Sequence, residues 1–343
     1  MRFLFVGGGT GGHLTPAIGL AEGLEARGHE TLFLLSGRAV ERNYLGKGRR
    51  SASLDFEQTR LPRPLALLKA AWRARRHAAR FHPDAVIALG GAASAASLGV
   101  PAAPLVLLEG NHVVGKSVKW MAGFSVTTLT MFEETAAHLR RADAIGPVTR
   151  QDLGAIPAAE ARRSLGLNPE CPTLLVMGGS QGAADLNSLA ARLLPDLAAK
   201  GWQVLALCGS GKGAELEAAA RAGEPVVVLE HCAAMGMAYS ASDFALTRGG
   251  ASTIGELWLA GLPAAIAPYP WHKDRQQEHN ARALDPGFLV LPDDLVGQEG
   301  PVLEHLLDVH KRQEMASVLR GRRPPDGQAA GVQRLEEIAG GKA

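Results

Sequence analysis

The stretch Phe3-Leu4-Phe5-Val6 followed by Gly7-Gly8-Gly9-Thr10-Gly11-Gly12-His13 decides the fold of this chain. A short apolar run that leads into a glycine-rich turn and then a helical pattern is typical of a nucleotide-binding α/β domain. The same design returns about half a chain later, where Leu174–Met177 precedes Gly178-Gly179-Ser180-Gln181-Gly182-Ala183. Exposed N–H groups and a helix dipole favour phosphate at such a turn. Two turns therefore predict two facing α/β domains, with the ligand in the cleft between them.

Ten apolar runs alternate with helical patterns along the chain, which predicts two Rossmann-like, doubly wound domains with parallel sheets. These runs are Arg2–Val6, Thr31–Leu35, Ala85–Leu89, Leu105–Leu108, Val126–Leu129, Leu174–Met177, Gln203–Cys208, Val226–Leu229, Asp243–Thr247 and Ala264–Ala267. A length of 343 residues suits two such domains better than one. We predict domains over 1–148 and 149–324, a hinge at Gly146-Pro147-Val148-Thr149-Arg150, and a helix over 325–343 that packs back on the first domain.

Composition indicates an ordinary globular protein, with 46% apolar and 20% charged residues and a net charge of +2. The three cysteines form no CxxC pair, which favours a reducing compartment, and we expect no signal peptide. Ala85–Leu108 carries no charge and is long enough to span a bilayer. Its glycines and prolines favour two buried strands joined by a glycine loop and a short helix instead.

The first turn satisfies the dinucleotide pattern GxGxxG, which alone is a weak signal. An NAD site needs an acidic residue at the end of the second strand, but here that strand ends Leu35-Ser36-Gly37-Arg38. NAD is therefore disfavoured, and Arg38 leaves an NADP site open. Gly211-Lys212 does not complete a P-loop. No D-x-D pair is present, so we expect a leaving diphosphate to be stabilised by backbone and helix dipole without an obligatory metal ion.

Three motifs together resemble the MurG family of peptidoglycan N-acetylglucosaminyltransferases, which have a two-domain GT-B fold. They are Gly8–His13, Gly178–Ala183, and His272-Lys273-Asp274-Arg275-Gln276-Gln277 with Asn280-Ala281. The resemblance implies inverting transfer of GlcNAc from UDP-GlcNAc to the 4-hydroxyl of MurNAc-pentapeptide on undecaprenyl diphosphate (lipid I), which forms lipid II. It also implies a peripheral location at the cytoplasmic face of the bacterial membrane, no cofactor, and roles in cell-wall synthesis, shape and division alongside other cell-wall proteins.

In the first domain, the resemblance places His13 at the cleft as a base or as a contact to the acceptor diphosphate. An imidazole with a pKa near ~6.5 suits proton transfer at neutral pH, although this histidine could instead only shape the loop. We also predict that Thr10, Gly11, Gly12 and Asn111 contact UDP-GlcNAc, because the small residues of the turn would allow close backbone approach. The family has a His-Glu-Gln-Asn motif where this chain has Leu108-Glu109-Gly110-Asn111, so Asn111 is retained but the His and Gln are not. The segment Ala92–Ser97 also departs from the family pattern. Both departures lie at positions that face the acceptor in the family.

In the second domain, the resemblance implies a binding site for the nucleotide and its sugar. Ser180 would contact a phosphate, Arg150 the nucleotide, and the Glu256 carboxylate both ribose hydroxyls, although Ser180 could be a plain helix cap and Glu256 a surface residue. Gln276 would bind GlcNAc, although Lys273–Gln277 could instead be a solvated loop. The backbone of Cys232 would contact uracil, although this residue could instead be a buried apolar thiol. The remaining predicted contacts to UDP-GlcNAc are Ala251, Ser252, Thr253, Ile254, Gly255 and Gln277.

Residues 65–80 have a helical pattern that combines an apolar face with basic residues. Between Arg60 and Pro83 there are seven Lys or Arg and no Asp or Glu. Such a helix is typical of an anionic membrane surface, although a half-buried helix with a solvated edge has the same pattern. No nucleic-acid motif accompanies it. The predicted membrane-facing residues are Leu65, Leu68, Trp72, Lys69, Arg73, Arg76 and Trp120, and Lys116, Lys119, Met121 and Phe124 extend the mixture.

Two other functions remain open from the residues alone. A UDP-GlcNAc 2-epimerase also places UDP between two Rossmann-like domains, but it would carry several carboxylates near the anomeric carbon, where Gln and His dominate here. A non-catalytic UDP-sugar sensor would keep the nucleotide turns and lose the base. His13 argues against a sensor, whereas the altered acceptor loops are compatible with one.

Overall fold

The computed structural model describes residues 1–9, 11–38, 41, 45–46, 48–149, 156–179, 182–232, 234–271 and 274–341. The chain folds as two compact units. The first comprises Met1–Gln151 with Pro324–Ala343, and the second comprises Asp152–Arg323.

The described part of the first unit contains a seven-stranded parallel sheet in the order β3-β2-β1-β4-β5-β6-β7. Its strands are β1 Arg2–Val6, β2 Glu30–Leu35, β3 Ser51–Ser53, β4 Ala85–Ala88, β5 Leu105–Glu109, β6 Thr127–Thr130 and β7 Ala142–Ala144. The central strands are apolar throughout because both faces of the sheet are covered, as in doubly wound folds. Phe5 and Phe33 stack on neighbouring strands with ring centroids 4.8 Å apart.

Helices of the first unit cover this sheet. Within the described ranges they are, in chain order, α1 Gly11–Ala26, α2 Arg63–Phe81, a 3₁₀ helix Ala92–Gly99, α3 Lys116–Met121, α4 Glu133–Ala137 and, from the end of the chain, α13 Gly327–Ala339. Helix α2 begins after Pro62 and ends at His82, which has a left-handed φ of 50°. Its buried stripe is a four-residue repeat of alanines that allows close approach to the sheet: Ala66, Ala70, Ala74 and Ala78.

Helix α13 packs on α1. Val332, Leu335 and Ile338 belong to the same buried cluster as residues of α1 and β1. The Gln328 Nε2 donates to the Gly19 carbonyl at 2.6 Å, and Glu336 bonds to both Arg27 and His29 at 2.8 Å. The end of the chain therefore contributes core side chains to the unit in which the chain begins.

The described part of the second unit contains a six-stranded parallel sheet in the order β10-β9-β8-β11-β12-β13. Its strands are β8 Thr173–Met177, β9 Gln203–Leu207, β10 Val226–Leu229, β11 Phe244–Thr247, β12 Ala264–Ile266 and β13 Phe288–Val290. Its helices are α5 Ala158–Ser164, α6 Ala184–Ala199, α7 Ala214–Arg221, α8 Met235–Ser240, α9 Ala251–Ala260, α10 Gln276–Arg282, α11 Glu299–Leu307 and α12 Val309–Gly321. The two parallel sheets confirm the predicted α/β class.

All ten predicted strands are present, and Ala85–Leu108 forms strand, glycine loop, 3₁₀ helix and strand as expected. Among the described residues, no helix is both long and apolar enough to cross a bilayer. The strands not predicted are β3, β7 and β13, which lie at sheet edges. Edge strands need backbone pairing on one side only, and the sequences Ser-Ala-Ser and Ala-Asp-Ala carry no apolar run that would indicate them.

Candidate active site

His13 lies in the first turn of α1, directly after the glycine-rich turn that follows β1. It is half-buried beside the turn after β4, since a Cβ on Gly90 would lie 3.3 Å from its ring. Burial is the main cause that lowers the pKa of His13 below its usual 6.5, a hydrogen bond with the Gly8 backbone opposes this, and the charge of Arg38 adds to it. The ring is therefore neutral at pH 7 and able to accept a proton.

Glu41 contributes to this region although no motif in the sequence indicates it. Its side chain is fully buried, although charged residues are rarely buried without partners. The Oε1 atom accepts from the Gly9 N–H and the Ser36 hydroxyl, both at 2.6 Å. The Oε2 atom accepts from the N–H groups of Gly37 and Arg38 at 2.9 and 3.0 Å. Glu41 thus joins the first glycine turn to the end of β2, and its distance of 32 residues from Gly9 in sequence concealed this.

Asn111 lies in the loop after β5, where it is held by Glu109. The buried Glu109 carboxyl accepts from the Asn111 N–H and Nδ2, both at 2.9 Å, and from the Gly115 N–H at 2.6 Å. Burial raises the pKa of Glu109, and these hydrogen bonds oppose the rise. The Thr135 hydroxyl donates to the His112 carbonyl at 2.7 Å and fastens the same loop to α4.

Gly11 and Gly12 begin α1 at the carboxyl edge of the first sheet, next to His13. Because β1, β4 and β5 are parallel neighbours, the turns that follow them meet at one edge. The structure therefore brings Gly11, Gly12 and His13 to the same edge of the sheet as Asn111.

In the second unit, the second glycine turn packs against the loop after β9. Gly182 has a φ of +64°, and a Cβ there would lie 2.1 Å from the Cys208 carbonyl oxygen, so only glycine fits. The Asn187 Nδ2 in α6 donates to the carbonyls of Cys208 and Lys212 at 3.3 and 2.9 Å. The Lys212 ammonium donates to the Gly182 carbonyl at 3.3 Å. The turn thus has a helix N-terminus on one side and a lysine on the other.

Glu256 lies in α9, which begins at Ala251 immediately after Gly250. The hydroxyl of the buried Tyr239, in α8, donates to the Glu256 Oε2 at 2.6 Å. The predicted contact residues Ala251, Ser252 and Thr253 form the first turn of α9, and Ile254 and Gly255 are buried behind it. Tyr239 could not be predicted from the sequence pattern, because a tyrosine in an apolar helix gives no indication of its partner.

Gln276 and Gln277 are the first residues of α10. The Gln277 side-chain oxygen accepts from the N–H groups of Gly249 and Tyr269, at 3.2 and 2.9 Å, and so links the loops after β11 and β12. Asn280 supports the same loop, because its Nδ2 donates to the Gly249 carbonyl at 3.1 Å. The Gln277 amide oxygen therefore bonds to the protein backbone, whereas Gln276 precedes it at the half-buried start of the helix.

Arg248 joins three elements at the carboxyl edge of the second sheet. Its guanidinium bonds to both carboxylate oxygens of Asp185 in the first turn of α6, at 2.7 and 2.6 Å, and to the Ala267 carbonyl after β12 at 3.1 Å. The glycine turn, the start of α9 and the start of α10 all lie at this edge. Cys232 follows β10, and its thiol donates to the Ala234 carbonyl at 3.3 Å.

The predicted Thr10, Arg150 and Ser180 lie outside the described residues, as do His272 and Lys273 of the third motif. Within the described ranges, no group of three or more His, Cys, Asp and Glu side chains is placed to hold a metal ion.

Most of the predicted membrane-facing residues occupy the outer faces of α2 and α3, and Phe124 follows α3. Leu65, Leu68, Trp72, Trp120 and Phe124 are each 50% to 66% exposed. The side chains of Lys69 and Arg76 are exposed beside them, and Arg76 lies over the Trp72 ring at 5.6 Å.

Two residues of this set are placed differently from the expectation. Arg73 is half-buried, pairs with Asp55 and donates to the Ser53 carbonyl at 3.1 Å. Its position on α2 turns it toward β3 and away from the exposed stripe. Met121 is 1% exposed and packs in the core, because it lies on the opposite face of α3 from Trp120.

Comparison with known families matches both units. Residues 3–130 match the glycosyltransferase family 28 N-terminal domain, and residues 173–287 match the glycosyltransferase family 28 C-terminal domain. The two matches fall on the two glycine turns and on the elements that carry the site residues described above.

Two curated relatives carry the same name, UDP-N-acetylglucosamine--N-acetylmuramyl-(pentapeptide) pyrophosphoryl-undecaprenol N-acetylglucosamine transferase. The protein from Desulfitobacterium hafniense (strain Y51) is 32% identical in an alignment 361 positions long that covers 95% of this chain and 96% of the relative. The protein from Salmonella typhi is 34% identical over 305 residues, which cover 83% and 82%. The crystal structure of Acinetobacter baumannii MurG has a TM-score of 0.77 at 24% identity and covers 98% of this chain and 99% of that one. This likeness confirms the predicted GT-B fold.

Proposed function

Because this chain belongs to the MurG family of glycosyltransferase family 28, we propose that it transfers GlcNAc from UDP-GlcNAc to the MurNAc-pentapeptide of lipid I. The observation that carries this proposal is the relationship to the Desulfitobacterium hafniense enzyme over nearly the full length of both chains. The product is lipid II, formed with inversion at the anomeric carbon. The reaction belongs to peptidoglycan synthesis and through it to cell shape and division.

His13 is the proposed general base for this transfer. Attack by the acceptor 4-hydroxyl requires a group that takes its proton, and a neutral imidazole is suited to this. The lowered pKa of His13 supports the role, because it keeps the ring unprotonated at neutral pH. Asn111, held by Glu109, is the proposed contact to the sugar, and Thr10, Gly11 and Gly12 are proposed to provide close backbone approach to UDP-GlcNAc.

UDP-GlcNAc is proposed to bind at the carboxyl edge of the second sheet. The turn before α6 and the first turn of α9 present helix N-termini that favour the diphosphate, with Ser180, Arg150 and Ala251–Gly255 as its contacts. Glu256, fixed by Tyr239, accepts the ribose hydroxyls. Gln276 binds the GlcNAc hydroxyls, with Gln277 beside it, and the Cys232 backbone contacts uracil. We propose that no metal ion is required, since the sequence has no D-x-D pair.

The exposed apolar and basic face of α2 and α3 is the proposed membrane-docking surface. We define it as Leu65, Leu68, Lys69, Trp72, Arg76 and Trp120 with Lys116, Lys119 and Phe124. Large apolar side chains beside lysine and arginine suit the interface of an anionic membrane. The acceptor carries an undecaprenyl chain, so an enzyme that acts on it must approach the bilayer. We propose peripheral binding at the cytoplasmic face.

The experiment that tests the proposed function is incubation of the protein with UDP-GlcNAc and a short-chain lipid I analogue. We expect UDP release that requires the acceptor, together with a disaccharide product. Formation of ManNAc without acceptor would indicate an epimerase, and binding of UDP-GlcNAc without turnover would indicate a sensor. Either result would refute the proposal.

A further inference from the structure

The first glycine turn already contains an anion, which is the side chain of Glu41. Backbone N–H groups that converge in a turn form a nest that binds anions. Here the N–H groups of Gly9, Gly37 and Arg38 converge on the Glu41 carboxylate at 2.6 to 3.0 Å. A Cβ on Gly8 would lie 2.4 Å from the Glu41 Oε1, so the carboxylate is packed directly against the turn. The Gly9 N–H is therefore engaged within the protein.

Both oxygens of the Glu41 side chain accept hydrogen bonds. The partners of the carboxylate described above all donate to it: the Ser36 hydroxyl donates to Oε1 at 2.6 Å, and the others are backbone N–H groups. An ionised carboxylate accepts at both oxygens, whereas an amide presents donors on one side. Glutamine at position 41 would therefore place an NH₂ group against N–H donors, and the turn would have to shift.

The glycine turn that Glu41 fixes also forms a hydrogen bond with His13. The Gly8 carbonyl and the His13 ring lie together beside Gly91, since a Cβ there would lie 3.3 Å from the Gly8 oxygen and 3.8 Å from the His13 Nδ1. His13 forms a hydrogen bond with the Gly8 backbone that raises its pKa, so the ring N–H donates and the Gly8 carbonyl accepts. That bond selects one tautomer and leaves the other ring nitrogen as the proton acceptor. Gly8 precedes Gly9, whose N–H is fixed by Glu41. Glu41 and His13 are thus connected through two consecutive residues of the turn.

We propose that Glu41 is a positioning residue: it occupies the nest formed by the Gly9 N–H of the first glycine turn and the N–H groups of the loop after β2, and thereby fixes the orientation and tautomer of the His13 ring for proton transfer. The inference rests on the proposed function for the role of His13. It also assigns the Gly9 N–H to Glu41, so that this group is not a ligand of the acceptor diphosphate.

The test is the Glu41→Gln variant of the full chain, with Glu30→Gln as the matched control. Glu30 lies in the same unit, is exposed and pairs with Arg50. We expect Glu41→Gln to lower kcat by roughly 10- to 100-fold, because a misplacement of about 1 Å in a reacting group costs about that much. The dissociation constant of UDP-GlcNAc, measured by calorimetry, is expected to stay within about twofold of wild type. Glu30→Gln should change neither quantity.

The readouts that a purely structural role would not change are a spectroscopic signal and a double-variant cycle. In ¹⁵N-histidine-labelled protein, with His13→Ala used to assign the signal, wild type should show one His13 tautomer and Glu41→Gln a mixture. The Glu41→Gln/His13→Ala double variant should be no slower than His13→Ala alone, because both changes act through one group. A wild-type kcat in Glu41→Gln, an unchanged His13 signal, or a double variant slower by the product of the two effects would each overturn the proposal.

If Glu41→Gln does not fold, Ser36→Ala provides the second variant, since it removes one donor to Oε1 and leaves the carboxylate in place. It is expected to shift the His13 signal in the same direction by a smaller amount, and an unchanged signal would overturn the proposal. Absence of GlcNAc transfer by the wild type would refute the proposed function alone. The His13 signal would still test the role of Glu41.

Discussion

At the scale of single residues, His13 and Glu256 show how the proposed reaction depends on side chains that do not react. His13 is oriented by the Gly8 carbonyl and Glu256 by the Tyr239 hydroxyl. The sequence did not indicate either partner. Gly8 belongs to a glycine turn that phosphate binding would also explain, and Tyr239 lies in an apolar helix that packing would also explain. The candidate site is therefore better defined by its supporting hydrogen bonds than by its motifs.

The pH dependence of transfer follows from the environment of His13. The base is the neutral ring, so kcat/KM should fall as the pH drops through the His13 pKa, which burial in particular places below 6.5. Arg38→Gln removes a positive charge that lowers this pKa and should move the acidic limb to higher pH. The exposed Arg50 is the site of the control, Arg50→Gln, which should leave the limb in place. A limb that stays fixed or moves to lower pH in Arg38→Gln would contradict the assignment of His13 as the base.

The Tyr239→Phe variant tests the proposed ribose contact. It removes the hydrogen bond to Glu256, and a hydrogen bond to a charged group contributes about 1.5 kcal/mol or more, which corresponds to roughly tenfold in affinity. We expect the KM for UDP-GlcNAc to rise by about that factor while kcat changes little. Ser242→Ala is the control. Ser242 follows the same helix, and its hydroxyl donates to the Ala238 carbonyl instead of to Glu256. Equal KM values in the two variants would argue against a ribose contact at Glu256.

At the scale of elements, α2 separates two functions onto opposite faces. Its alanine stripe packs on the sheet, and its leucines and tryptophan face outward. Burial of a large apolar side chain is favourable by about 1.5 to 3 kcal/mol. Exposure of the outward face to water is therefore unfavourable, and contact with an apolar partner surface would relieve it.

The membrane-docking surface predicts vesicle binding that depends on this face. Changing Leu65, Leu68 and Trp72 together to serine should reduce sedimentation with anionic vesicles by tenfold or more, on the order expected for the lost apolar burial. Added salt should weaken wild-type binding, because the basic residues contribute about 1 kcal/mol each near an anionic surface. Val296→Ser is the control, since Val296 is 76% exposed in the second unit. Unchanged sedimentation of the triple variant would refute this surface.

At the scale of the whole molecule, the chain returns to its first unit after completing the second. Leu335 in α13 is fully buried in the core that contains α1, and Leu306 in α11 is fully buried in the core of the second unit. A substitution of leucine by alanine can therefore be made at an equivalent, fully buried position in each unit.

The stability of the two units should respond separately to these changes. Leu335→Ala should lower the unfolding free energy of the first unit by about 2 to 5 kcal/mol, and Leu306→Ala should do the same for the second. In calorimetry, UDP-GlcNAc should raise the temperature of the unfolding transition that Leu306→Ala lowers, because the ligand binds the native state of the second unit and stabilises it. Stabilisation by UDP-GlcNAc of only the transition sensitive to Leu335 would contradict the proposed donor site.

The amino-acid sequence by itself determined the class of fold, the ten principal strands and the family. These depend on local patterns, since apolar runs, glycine turns and helix starts act over a few residues each. Only the tertiary structure decided that Glu41 fills the first turn, that Tyr239 holds Glu256, that the Gln277 oxygen bonds to backbone, and that Arg73 turns inward. Each of these is a contact between residues that are distant along the chain or on different faces of one element. Hydrogen-bond partners are selected by the packing of the sheets and helices, and no local pattern encodes that packing.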